Sequence, residues 1–70
     1  MEINDFVFVT FEKDNEVRST HIVLKEKLDN FINDKYAMFG VGVAHINKAV
    51  MCLNGSIGRG DYMSSINIYH

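Results

Sequence analysis

Six consecutive residues, Phe6-Val7-Phe8-Val9-Thr10-Phe11, constrain the fold of this chain more than any other feature. Aromatic and β-branched side chains suit a pleated strand, and here both sides of the pleat are apolar. A strand apolar on both faces reads as the centre of a sheet, with neighbours on either side. Glu12-Lys13-Asp14-Asn15-Glu16 follows as a hairpin loop, because Asp and Asn accept tight-turn dihedrals and hydrogen-bond their own backbone. The return strand runs from Val17 to about Ile22. Its polar residues, Arg18 and Thr20 among them, mark it as less buried and at an edge.

The period then changes. Leu24, Leu28, Phe31 and Ile32 fall on one helical stripe within residues 23–35, and charged or amide side chains cover the opposite side. That polar side reads as the solvated face of an ordinary amphipathic helix. Residues 41–53 admit two readings. As a helix, Val43, Ile46, Val50 and Leu53 make a stripe and Asn54-Gly55 is a fitting stop. As strands, residues 36–45 and 49–53 would pair around Asn47-Lys48, a turn lacking the Asn-Gly or Asp-Gly that two-residue hairpins favour. The helix is the preferred reading for that reason. Residues 62–69 alternate as a half-buried strand. The expected fold is therefore a single α+β domain over residues 1–70, ordered β-β-α-α-β, with a small antiparallel sheet and two helices on one face. The alternative is β-β-α-β-β-β.

At 70 residues, every buried side chain matters, since one core of this size supplies only a few kcal/mol net. With 47% hydrophobic residues the chain has the material for that core, which argues against disorder. Cys52 is the only cysteine, so no internal disulfide is possible and a reducing compartment is expected. The acidic start, from Met1 to Asp5, is unlike a secretory signal, and no apolar run has the length of a membrane span. A cytoplasmic location and no membrane partner are the expectations.

A net charge of −2 and dispersed basic residues speak against direct nucleic acid binding, which needs clustered Lys and Arg. The distribution is more informative than the total. Residues 36–70 carry only Lys48, Arg59 and Asp61 as charged groups, so part of that half is deep core or a surface meant to be covered. Ile and Asn occur seven times each and Pro and Trp not at all. That usage follows AT-rich codons, as in many phages and mobile elements.

The chemical motifs are weak. Gly40-Val41-Gly42 lacks the third glycine of a dinucleotide loop, and a Rossmann unit needs a longer chain. Gly55-Ser56-Ile57-Gly58-Arg59-Gly60 reads as a mobile turn whose amides could cradle an anion, but no P-loop Lys-Ser or Lys-Thr follows. His21, His45 and His70 are too scattered for metal-ligand spacing, and Cys52 reads as a small buried hydrophobe. No cofactor, metal or catalytic residue is expected.

What remains points to a non-enzymatic protein–protein interaction module. The leading expectation is a phage or mobile-element inhibitor that binds and blocks a host or defence enzyme. Two candidate contact sets follow. One is Arg59, Asp61, Tyr62 and Tyr69 in the charge-poor half, since Arg and Tyr are enriched at interface hot spots. The other is Glu12, Asp14 and Glu16, whose alternation would aim three carboxylates to one side of an extended chain. A homodimer pairing residues 62–69 with their twin is the first alternative, and a small anion- or nucleotide-binding domain is the second.

Overall fold

The computed structural model describes residues 2–68, and the side chains of all of these except 35–39. Strands β1 (Phe6–Lys13) and β2 (Glu16–Leu24) form the expected hairpin, followed by helix α1 (Leu28–Phe39), then β3 (Gly42–Met51) and β4 (Ile57–Ile68). A 3-10 turn at Lys25–Lys27 leads into α1. All pairings are antiparallel and the sheet order is β2-β1-β3-β4. β1 is thus central and β2 an edge, as the residue patterns require.

Residues 41–53 do not form the second helix of the β-β-α-α-β reading. They lie largely in β3, which runs straight through Asn47-Lys48, so the β-β-α-β-β-β alternative with a turn there is not found either. The physical reason lies in the period. Ala44 and Ile46 alternate with Val43, His45 and Asn47, and the segment is rich in β-branched residues. Asn54-Gly55, read as a helix stop, instead closes the β3–β4 hairpin. Gly55 takes a positive φ of 84°, and Asn54 Oδ1 accepts from the Ser56 amide at 3.1 Å. The expected helix at 23–35 also starts late, because Val23 and Leu24 finish β2. Residues 57–60, expected in a glycine-rich turn, are strand.

The core lies between α1 and one face of the sheet. Val7, Val9 and Phe11 of β1 point into it with Val23, Ala44, Ile46 and Ile68, and α1 contributes Ile32, backed by Leu28 and Phe31. Gly42 sits against Phe11: a Cβ there would come 2.6 Å from Phe11 Cζ and 2.8 Å from the Glu12 carbonyl oxygen. The absent side chain is what lets β3 start beside the largest buried ring.

The β1–β2 turn is tight. Lys13 pairs with Glu16, and the two residues between them, Asp14 and Asn15, have φ of 55° and 63°. Two successive left-handed residues make the primed turn that matches strand twist, and glycine is the favoured second residue. Asn15→Gly is expected to stabilise the protein by about 0.5 kcal/mol, raising the midpoint of thermal unfolding by about 3 °C. Thermal denaturation followed by circular dichroism checks it; an unchanged or lowered midpoint would contradict this turn geometry.

Candidate protein-binding surface

Strand pairing assigns every side chain to a face. α1 covers the face bearing Val7, Val9 and Phe11. The other face carries Phe8, Thr10 and Glu12 of β1, Val17, Thr20 and Ile22 of β2, and on β3–β4 the row of His45, Asn47, Tyr62 and Ser65. The molecule measures 38 × 24 × 18 Å, and its thinnest dimension is the depth of one sheet and one helix. On this second face Thr10 and Ala49 are buried among their neighbours, while larger apolar side chains reach solvent. Val17 is 58% exposed, Ile22 43% and Tyr62 64%.

Bulges arrange the polar groups there. Opposite Ile46–Asn47, β4 carries Met63 as an extra residue, so Tyr62 and Ser65 share a face although three apart. A second irregularity follows, where three steps from Tyr62 to Arg59 oppose two from Asn47 to Ala49. Asn47 Nδ2 donates to the Gly60 carbonyl at 3.0 Å and holds that distortion. The result is a polar chain across three strands. Tyr62 OH lies 3.0 Å from Ser65 Oγ, Ser65 Oγ lies 3.0 Å from His45 Nδ1, and His45 Nε2 lies 3.7 Å from Glu12 Oε1.

Beside this chain is a shallow cavity of about 260 Å3 bordered by Phe8, Thr10, Val17, Thr20 and Arg59. Thr10 is only 4% exposed, and its hydroxyl has no hydrogen-bond partner among the described residues. A buried hydroxyl left without a partner costs about 1–3 kcal/mol, which a ligand group supplying one would recover. Arg59 at the same cavity adds a planar donor fork suited to a carboxylate.

The sequence-based candidates are thereby redistributed. Glu12, Arg59 and Tyr62, which belonged to two competing sets, lie on one face. Asp14 and Glu16 do not join Glu12: Asp14 is in the turn, and Arg18 lies 3.7 Å from its carboxylate and 3.6 Å from that of Glu16. Turn geometry breaks the alternation that would have aligned the three acids. Asp61 borders a different cavity with Lys48 and Met63. Tyr69 lies outside the described residues. Thr10, His45 and Ser65 were missed. The one available signal was the alternation of His45 and Asn47 in a strand, hidden by the helical reading of 41–53. Cys52 is exposed rather than buried.

A serine hydroxyl beside a histidine that faces a carboxylate is also the local arrangement of an activated nucleophile. Such a nucleophile works through preorganised donors in a water-excluded site, whereas Ser65 lies on an exposed strand. Wild-type protein and Ser65→Ala are therefore expected to release nitrophenol from p-nitrophenyl acetate at the same rate. A burst of nitrophenol lost in Ser65→Ala would overturn this. Among the described residues, no group of His, Cys, Asp or Glu is placed to hold a metal ion, and no helix is long and apolar enough to cross a membrane.

No protein-family model, curated protein or solved structure matches the chain.

Proposed function

We propose that the chain is a non-enzymatic module that binds another protein through the open face of its sheet. The observation that carries the reading is the one-sided cover: α1 buries one face, while the other presents Val17, Ile22 and Tyr62 to solvent around a cavity with an orphaned buried hydroxyl. An exposed apolar patch rimmed by polar groups marks an interaction surface. Arg59 and Tyr62 are the residue types that anchor such surfaces. With Glu12 and Arg59 at different places on the face, a partner presenting an acidic side chain to Arg59 would dock in one orientation.

The finer reading is an inhibitor from a phage or mobile element that blocks a host or defence enzyme. It rests on small size and on residue usage favouring AT-rich codons. Self-association through β4 is less favoured, because its bulges interrupt the regular ladder that a twin strand would need.

The test is affinity capture from a bacterial lysate with tagged wild-type protein and with the variant Val17→Lys, Arg59→Glu, Tyr62→Ala. One stoichiometric foreign protein held by the wild type and released by the variant supports the reading. Equal capture by both, or none by either, contradicts it for the lysate used.

A further inference from the structure

The two edges of the sheet are built differently. On β4, two bulges break the strand, and both glycines and charged residues fall along it. Natural edges are commonly blunted in this way against pairing with another chain. On β2, the charges and the single bulge, at Arg18, are confined to the turn end. Residues 19–24 are regular, carry no Lys, Arg, Asp, Glu or Pro, and have β1 on one side only. Alternate residues of such a strand direct their N–H and C=O groups outwards, where a further strand would bond them.

A groove of about 580 Å3 runs along this unblunted stretch. One wall is strand residues 21–24, and the other is Lys27, Asn30, Phe31 and Asp34. Those four are spaced by three, one and three, which is one continuous stripe of a helix. Phe31 meets His21 edge to face, with ring centroids 4.8 Å apart, so the two walls touch below the groove. Because α1 returns antiparallel to β2, Lys27 lies at the Leu24 end and Asp34 towards the His21 end. Both side chains are exposed. The groove is thus positive at one end, negative at the other, and aromatic between.

The geometry points to a binding site for an extended peptide segment of a partner protein, added as an antiparallel strand to residues 19–24 of β2 with alternate side chains under α1. Main-chain hydrogen bonds supply affinity in this mode, and pockets for alternate side chains supply specificity. The charges select the sequence. A strand antiparallel to β2 enters at the Leu24 end, so an acidic residue near its N-terminus meets Lys27 and a basic residue near its C-terminus meets Asp34. Lys27 and Asp34, seven residues apart on a helix, are separated by about 10 Å along its axis. An acid and a base four residues apart on one face of the peptide, about 13 Å, reach both. A β-branched residue midway would rest on Phe31. This proposal deepens the protein-binding reading by adding a second contact region, and it does not depend on the open face.

The probe is an acetylated, amidated heptapeptide with Glu, Val and Lys at positions 2, 4 and 6 and Thr elsewhere, titrated into isotope-labelled protein by NMR. Saturable shift changes are expected at residues 19–24 and 27–34. The peptide with Glu and Lys exchanged should bind about fivefold more weakly, the scale of two exposed charge pairs. The double variant K27E/D34K should reverse that preference, and this readout does not need a high absolute affinity. Both substitutions are at exposed positions, and the dispersion of the spectrum reports that the variant is folded. Open-face substitutions at Arg59 and Tyr62 should leave peptide binding unchanged, which separates failure of this site from failure of the open face. No saturable change with either peptide, changes centred on the open face, or a preference that K27E/D34K leaves in place would overturn the proposal. Protection of the β2 amides in the free protein that disappears on dilution would also overturn it, by showing a second copy on this edge.

Discussion

Phe11→Ala is expected to leave the protein without a cooperative thermal transition at 25 °C or above. The side chain is fully buried on β1, an interior strand with β2 on one side and β3 on the other. Truncating a buried Phe costs about 3–5 kcal/mol, and a domain of this size has about that much to lose. The site also has little freedom to collapse, since Gly42 and Ala44 of β3, which lie against Phe11 or opposite it, have little or no side chain to move inwards. Phe11→Leu retains most of the buried volume and is expected to stay folded at a cost of about 1.5 kcal/mol. Circular dichroism against temperature and the dispersion of amide proton shifts decide it. A folded Phe11→Ala with an unchanged midpoint would mean that the core is not centred on this ring. Gly42→Ala adds a check on the same contact. Its Cβ collides with Phe11 Cζ in the wild type, so it should be better tolerated in the Phe11→Leu background than alone.

The second large effect concerns binding. Val17→Lys, Arg59→Glu and Tyr62→Ala together are expected to weaken capture of the partner by about a hundredfold, close to 3 kcal/mol. Arg and Tyr anchors often cost about 2 kcal/mol each when truncated, and their effects are not additive. The lysine replaces an exposed apolar contact of the patch with a charge that stands opposite Glu12 in the strand register. All three positions are exposed, so the expected cost in stability is about 0.5 kcal/mol or less for each. Lost binding with a preserved fold is the signature of a contact surface. Lost binding with a collapsed thermal transition would assign these residues to the core, against the open-face account.

Part of this was legible in the sequence, for physical reasons that differ by segment. The run from Phe6 to Phe11 declared a central strand because both of its faces are apolar, and Asp14-Asn15 declared a turn because these side chains tolerate positive φ. β3 was not legible in the same way. Val43, Ile46 and Val50 fit a helical stripe and a strand at once, and Asn54-Gly55 is a proper ending for either. Only the sheet decides between them, since β1 needs a second neighbour to bury Val9 and Phe11 against Ile46 and Ala44. Leu24 fell in the helical stripe because the stripe begins one turn before the helix does. The candidate surface was legible as residue types, Arg59, Tyr62 and Glu12, but not as a place. Their convergence depends on the bulge at Met63 and on strand order, neither of which leaves a local mark. The orphaned Thr10 hydroxyl is likewise a product of packing, because in sequence Thr10 is one more β-branched residue of a strand.

The most direct test of the central claim is hydroxyl-radical footprinting of the protein, free and bound to the partner it captures. The open face and the β3–β4 hairpin tip both carry exposed, oxidisable side chains, with Tyr62 on the former and the fully exposed Leu53 at the latter. The open-face account predicts that oxidation of Tyr62 falls sharply in the complex while Leu53 reacts as in the free protein. Protection of Leu53 with Tyr62 unchanged would place the partner on the hairpin tip and contradict the account.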